Sequence, residues 1–133
     1  LLESGELEEA LLLVNKFLEI SPRNYPLSIS KSKILLSMEE YFKSEEIIRD
    51  QLLRKNSDPE LWLLLSEIQR NSKNIIGYHQ SRAEYFLILG QDEKALNQLE
   101  FALKLAQNNF QTSERIMTKI ISIKDNLKKS RAL

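Results

Sequence analysis

The sequence contains no cysteine, one histidine, three glycines and three prolines in 133 residues. Without cysteine, the chain forms no disulfide and offers no thiolate to a metal ion. The one histidine, His79, is too few for the common zinc sites, which use three or four ligands, and the HExxH motif is absent. The isolated glycines exclude a glycine-rich phosphate loop. We therefore expect no catalytic site and no cofactor within these 133 residues.

An excess of charge of one sign is also lacking, since the chain has 19 basic and 19 acidic residues. This balance argues against a nucleic-acid partner, which would require a strongly basic surface. The charges are unevenly placed, however. Residues 1–20 contain five acidic residues and one basic residue, whereas residues 107–133 contain six basic and two acidic residues. These two ends are either simply solvated or contact different surfaces.

Long apolar runs are missing as well. No segment reaches the roughly 18 apolar residues that predict a membrane-spanning helix, and no signal peptide is present. The chain begins at Leu1 without a methionine, inside a helix-turn pattern. We therefore expect it to be the C-terminal piece of a longer protein.

The clearest pattern that is present spans residues 79–106, which predict two antiparallel helices joined at Gly90. Apolar and small residues recur at intervals of three and four, which is the period of one helix face. Gly90 is suited to end the first helix, because glycine adopts the left-handed conformation without penalty. Asp92 favours the start of the second helix, and Ala95 is small enough to allow close helix approach. This pattern is typical of a tetratricopeptide repeat (TPR) hairpin.

Two further units precede this hairpin. Residues 5–22 repeat the glycine-to-alanine spacing and form a half repeat. Ser44 lies 34 residues after Ala10, and 34 residues is the period of the TPR. Residues 26–56 are therefore predicted to form a second repeat. This copy is degenerate, because Glu39 lies in the turn where the strong hairpin has glycine.

Residues 59–106 predict further repeats with an irregular insertion. Asp58, followed by proline, is a strong helix start, and Trp62 begins a W-x-x-L-small match to the TPR pattern. The polar run at residues 71–74 then interrupts the repeat. Either a half repeat is inserted here, or the helix at about residues 76–89 serves two repeats. We expect Trp62 to be buried between hairpins.

The last predicted helix spans roughly residues 112–129 and has one apolar face, with basic residues on its other faces. A solenoid needs such a helix as a cap at its end. The sequence therefore predicts one all-α domain over residues 1–133. We expect a TPR α-solenoid of about seven to eight antiparallel helices, closed by this capping helix.

Residues 59–123 also resemble a known family, the bacterial M48-type zinc metalloproteases with C-terminal tetratricopeptide repeats, which include the periplasmic β-barrel assembly-enhancing proteases. The residues that carry the resemblance are Trp62, Ser66, Glu67, His79, Gln80, Arg82, Ala83, Glu84, Tyr85, Phe86, Gly90, Ala95, Gln98, Leu99, Ala102, Leu103, Asn109 and Phe110.

The resemblance implies that the parent is a periplasmic zinc protease whose HExxH helix lies upstream of Leu1. It also implies that the C-terminal repeats contact outer-membrane assembly machinery and its β-barrel substrates. No catalytic residue and no zinc ligand can be assigned within this chain, because no part of the protease motif falls in it.

A partner-binding surface follows from the repeat pattern, because the first helix of each TPR hairpin lines the concave face of the solenoid. Its predicted members are Ile29, Lys33, Leu36, Leu63, Glu67, Arg70, Gln80 and Glu84. This mixture of charged and apolar residues suits an extended or helical protein segment. The charged members could instead form solvated ion pairs only. The alternative function is a generic TPR scaffold or adaptor that is unrelated to a protease.

Overall fold

The structure, a computed structural model, describes residues 3–132, and all regular structure among them is α-helical. The seven helices are α1 (Ser4–Ile20), α2 (Tyr25–Ser37), α3 (Tyr41–Leu52), α4 (Pro59–Asn71), α5 (Ile75–Ile88), α6 (Asp92–Leu105) and α7 (Phe110–Ala132). The prediction of an all-α chain is confirmed, and the seven helices agree with the seven to eight that were expected. None of these helices combines the length and the apolarity that are needed to cross a membrane.

Each helix packs against the next one along the chain, as expected for stacked helical hairpins. Two clusters of buried apolar side chains hold the stack together. The first lies between α3 and α4 and contains Ile48, Leu52, Leu61, Leu64, Leu65 and Ile68. The second joins α5, α6 and α7 and contains Ala83, Ala95, Leu99, Ala102, Ala106, Ile116, Ile120 and Ile123.

Three of the helix–helix connections share one turn geometry. The α2–α3, α4–α5 and α5–α6 turns each have three residues, and the middle residue has a positive φ: 62° at Glu39, 67° at Lys73 and 75° at Gly90. In each turn the third residue donates its N–H to a carbonyl oxygen five residues earlier, at 2.8 Å. These are Schellman turns. The degenerate repeat therefore keeps the turn, with a glutamate in the left-handed conformation.

The polar run that interrupts the repeat pattern is the turn between α4 and α5. The middle residues of the first two turns, Glu39 and Lys73, are 34 residues apart, whereas Lys73 and Gly90 are only 17 residues apart. As a result, α5 packs against both α4 and α6 and takes part in two successive hairpins.

Close helix approach within the hairpins depends on small residues. In the α2–α3 hairpin, the hydroxyl oxygens of Ser32 and Ser44 lie 2.9 Å apart and both residues are buried. In the α4–α5 hairpin, a Cβ added at Gly77 would lie 2.6 Å from the side-chain nitrogen of Asn74 and 2.7 Å from that of Gln69, so these side chains would have to shift. Glycine leaves room for both amides.

The expected burial of Trp62 between hairpins is wrong. Its side chain is half-buried, whereas the preceding residue, Leu61, is completely buried. The buried positions of α4 follow one stripe, and Trp62 lies at its edge. There the indole N–H donates to the carbonyl oxygen of Asn56 at 2.7 Å. A tryptophan at the edge keeps this hydrogen bond while it still covers part of the core.

Candidate functional site

The main candidate site is a groove between α2 and α4, which we call the α2–α4 groove. It encloses about 280 Å³. Its lining residues are Tyr25, Ile29, Lys33, Glu60, Leu63, Leu64 and Glu67. Four of the residues predicted to bind a partner are therefore brought together here, namely Ile29, Lys33, Leu63 and Glu67.

A hydrogen bond ties the two walls of the groove together at one end. The Tyr25 hydroxyl, at the start of α2, donates to Asp58 Oδ2 at 2.7 Å. Asp58 also caps α4, since its Oδ1 accepts from the backbone N–H of Glu60 at 3.0 Å. The ammonium of Lys55 lies 4.2 Å from the centre of the Tyr25 ring. Asp58 therefore positions both the tyrosine and the first turn of α4.

Burial, together with the hydrogen bond to Asp58 and the negative charge there, raises the pKa of Tyr25 to about 12. Removing the phenolic proton would place a second negative charge beside the carboxylate. Tyr25 therefore stays protonated at physiological pH and continues to donate to Asp58.

The floor of the groove is apolar and its edges are charged. Ile29 is half-buried and Leu64 is buried, while Lys33, Glu60 and Glu67 project around them. All three charged residues are exposed. Within residues 3–132 none of these three charged groups forms an ion pair. The groove thus has an apolar floor, and the carboxylates of Glu60 and Glu67 and the ammonium of Lys33 are free to contact a partner.

The other predicted partner residues lie elsewhere. Gln80 and Glu84 line a second cavity of about 250 Å³, which we call the α5–α7 pocket. Leu36 is half-buried against the α3–α4 core, and Arg70 is exposed and lines neither cavity. The full lining of the α5–α7 pocket is Arg49, Trp62, Leu65, Gln69, Gly77, Gln80, Ser81, Glu84, Leu99, Arg115, Ile116 and Lys119.

Polar contacts organise the α5–α7 pocket. Glu84 is already paired, because its carboxylate lies 3.0 Å from the ammonium of Lys119 on α7. At the base, the buried Ser81 hydroxyl donates to the side-chain oxygen of buried Gln69 at 2.6 Å. Both contacts hold α5 to its neighbours, so they have a clear structural role.

The groove and the pocket lie on different sides of α4. Leu63 and Glu67 face the groove, whereas Trp62, Leu65 and Gln69 face the pocket. At about 100° per residue, these two sets are roughly 150° apart around the helix axis. The eight predicted residues are therefore divided between the groove, the pocket and positions that line neither.

Sequence reasoning missed three groove residues, Tyr25, Glu60 and Leu64. A signal for Tyr25 was available, because it precedes Ile29 by four residues and so continues the same face of α2. Glu60 follows Asp58 and Pro59 in the first turn of α4. Its place in the groove depends on how α4 packs against α2, which no local pattern reports.

The single histidine is packed rather than free to bind a ligand. His79 Nδ1 lies 2.8 Å from Gln98 Oε1, and the imidazole stacks on Phe101 with ring centres 5.4 Å apart. Over residues 3–132, no group of three or more His, Cys, Asp or Glu side chains is placed to hold a metal ion.

The chain matches no protein-family model and no curated protein. The likeness of residues 59–123 to the M48 metalloproteases therefore stays a prediction from the sequence.

Proposed function

We propose that this chain is a non-catalytic protein-binding module of the TPR type, which holds a protein segment in the α2–α4 groove. The observation that supports this proposal is that Lys33, Leu63 and Glu67, chosen from the repeat pattern alone, line one groove. The 34-residue step between the turns at Glu39 and Lys73 supports the TPR assignment.

The chemistry of the groove defines the kind of segment that it fits. An apolar side chain of the partner would cover Ile29 and Leu64. With Glu60 and Glu67 against Lys33, the groove has an excess of one negative charge, so a basic residue beside the apolar one is favoured. The hydrogen bond between Tyr25 and Asp58 fixes one wall of the groove relative to the other before binding, which lowers the entropy cost of forming the complex.

This proposal can be tested with short peptides selected from a random library on the immobilised chain. Titration calorimetry would then measure the affinity of each selected peptide for groove variants. We expect Leu63→Asp and Glu67→Lys to weaken binding of peptides that carry an apolar and a basic residue. Lys104→Glu, an exposed change on α6, is the control and should leave the affinity unchanged. Equal binding by all three variants would contradict the proposal.

We further propose that the parent is a periplasmic M48-type zinc metalloprotease and that the partners belong to the outer-membrane assembly machinery or its β-barrel substrates. The support is the sequence resemblance over residues 59–123. The open reading frame that encodes this chain provides the test. An HExxH motif and a signal peptide upstream agree with the proposal, whereas a frame with helical repeats alone favours an adaptor.

A further inference from the structure

We propose that a second copy of this chain docks end to end, with the outer face of α1 packed antiparallel against the outer face of α7. This contact uses neither the α2–α4 groove nor the α5–α7 pocket, and it is independent of the proposed function. Four observations lead to it: an apolar stripe on α1, a comparable stripe on α7, a matching spacing, and opposite charges in register. The stacking of helical repeats agrees with them.

The first observation is the outer face of α1. This helix packs on α2 through the side that carries buried Leu7. Its other side exposes Leu13, Phe17 and Ile20, at intervals of four and three residues, and Ile20 is 81% exposed. An unbroken apolar stripe of this kind on a helix marks a surface that another helix can cover.

The second observation is a comparable stripe on α7. Ile116, Ile120 and Ile123 are buried against the neighbouring helices. A different side of α7 exposes Phe110, Met117 and Ile121, and Phe110 is 76% exposed. The stripe occupies the first half of the helix and is followed by lysines.

The two stripes have matching spacing when the helices are antiparallel. From the N-terminal end of α1, the positions Glu6, Glu9, Leu13 and Phe17 are separated by three, four and four residues. From the C-terminal end of α7, the positions Lys128, Lys124, Ile121 and Met117 are separated by four, three and four residues. Both series span the same length of helix, so each position on one faces its counterpart on the other.

The charges agree with this register. Glu6 falls opposite Lys128 and Glu9 falls opposite Lys124, while the apolar residues meet in the other half of the contact. All four charged side chains are exposed, and none of them forms an ion pair within residues 3–132.

One pair of charges of the other sign lies nearby. In this register Lys16 on α1 is four residues, slightly more than one helical turn, from the position opposite Glu114 on α7. A parallel arrangement would instead place the acidic end of α1 against the apolar half of α7. Charge complementarity therefore selects the antiparallel pair.

The contact would continue the stack that the chain already builds, because successive helices in a helical repeat bury their faces on the next neighbour. Since α1 of one copy meets α7 of another, the interface is heterologous. A contact of this kind that repeats from copy to copy builds a ring or a filament rather than a closed two-fold dimer.

The test is sedimentation velocity of the whole chain over a range of concentrations. Wild-type chain should associate progressively. The α1 variant Glu6→Lys/Glu9→Lys and the α7 variant Lys124→Glu/Lys128→Glu should each raise the apparent dissociation constant about tenfold or more, because like charges then face each other. A chain with all four reversals should associate as the wild type does.

Matched controls separate a specific contact from a change in net charge. Glu40→Lys/Glu100→Lys changes the net charge as the α1 variant does, but at exposed positions outside α1 and α7, and should leave association unchanged. Groove variants such as Glu67→Lys should also have no effect. A wild-type chain that stays monomeric overturns the proposal. Sensitivity to the α1 reversal alone would indicate an α1-to-α1 contact and would also overturn it.

Discussion

At the scale of single residues, the neighbours Leu61 and Trp62 show that residue type does not determine burial. Leu61 is fully buried between α3 and α4, while the larger Trp62 lies half-exposed at the edge of the same cluster. Because tryptophan has a large apolar side chain, it is expected in the core. The position of its ring depends on which side of α4 meets α3, which is a property of the packed structure.

A direct comparison of two variants tests this assignment. We expect Leu61→Ala to lower the free energy of unfolding by about 2–5 kcal/mol, the usual range for a fully buried leucine. Trp62→Ala should cost less, because the indole is only partly buried and lies at the edge of the cluster. Urea denaturation followed by circular dichroism measures both. A loss at Trp62 equal to or above that at Leu61 would show that the indole is a core residue.

Tyr25 gives a prediction about pH. The folded chain raises the pKa of Tyr25 to about 12 from the ordinary tyrosine value of 10.0, so folding favours the protonated phenol. This stabilisation is fully present below pH 10 and is lost as the pH rises from about 10 to about 12. Urea unfolding measured through this range should show declining stability. The decline should be smaller in Tyr25→Phe, and an equal decline in both chains would contradict the account.

At the scale of elements, the three Schellman turns place different residues in one backbone conformation. Glu39 and Lys73 carry a side chain at a positive φ, which glycine at residue 90 adopts freely. The strain at the first two turns is tolerated because the same three hydrogen bonds form in every turn. Helix pairing therefore survives where the sequence signal for the turn is lost.

Adding a glycine to one of these turns and removing the glycine from another should change the free energy of unfolding in opposite directions. Lys73→Gly should raise the free energy of unfolding by about 0.5–1 kcal/mol, because it removes left-handed strain from a side-chain-bearing residue. Gly90→Ala should lower it by about 1 kcal/mol for the same reason. An added Cβ at Gly90 meets no atom within 4 Å, so a steric clash does not contribute to the change in stability. Thermal and urea denaturation provide the measurement, and effects of the same sign would refute it.

At the scale of the whole molecule, burial is unevenly distributed along the stack. Helix α4 has six buried residues, whereas α1 has one, Leu7. In a linear stack each helix is held mainly by its neighbours, so an end helix opens more easily than a central one.

Native-state hydrogen exchange should therefore show the strongest amide protection in α4 and the weakest in α1 at dilute protein concentration. If copies of the chain dock through α1 and α7, protection of these two helices should rise with concentration while that of α4 does not. Protection in α1 equal to that in α4 in dilute solution would show that the stack opens only as one unit.

The sequence by itself determined the features that depend on a few neighbouring residues. Intervals of three and four located the helices, Asp58 and Pro59 marked the start of α4, and Gly90 marked a left-handed turn. These signals are local, because helix periodicity, capping and φ preferences act within one or two turns of the chain. For the same reason, the residues that line the α2–α4 groove from α2 could largely be chosen from the sequence.

Only the tertiary structure decided which residues share a surface. Lys33 and Glu67 meet in one groove, but Gln80 and Glu84 lie on the other side of α4. If every repeat is assumed to have the same length, aligning the repeats places all four residues on one surface. The turn at Lys73 is followed by the next turn after 17 residues instead of 34, so α5 packs as the second helix of one hairpin and the first of another. Its faces are therefore set by two neighbours at once, and contacts across turns, rather than the local pattern, decide where its side chains point.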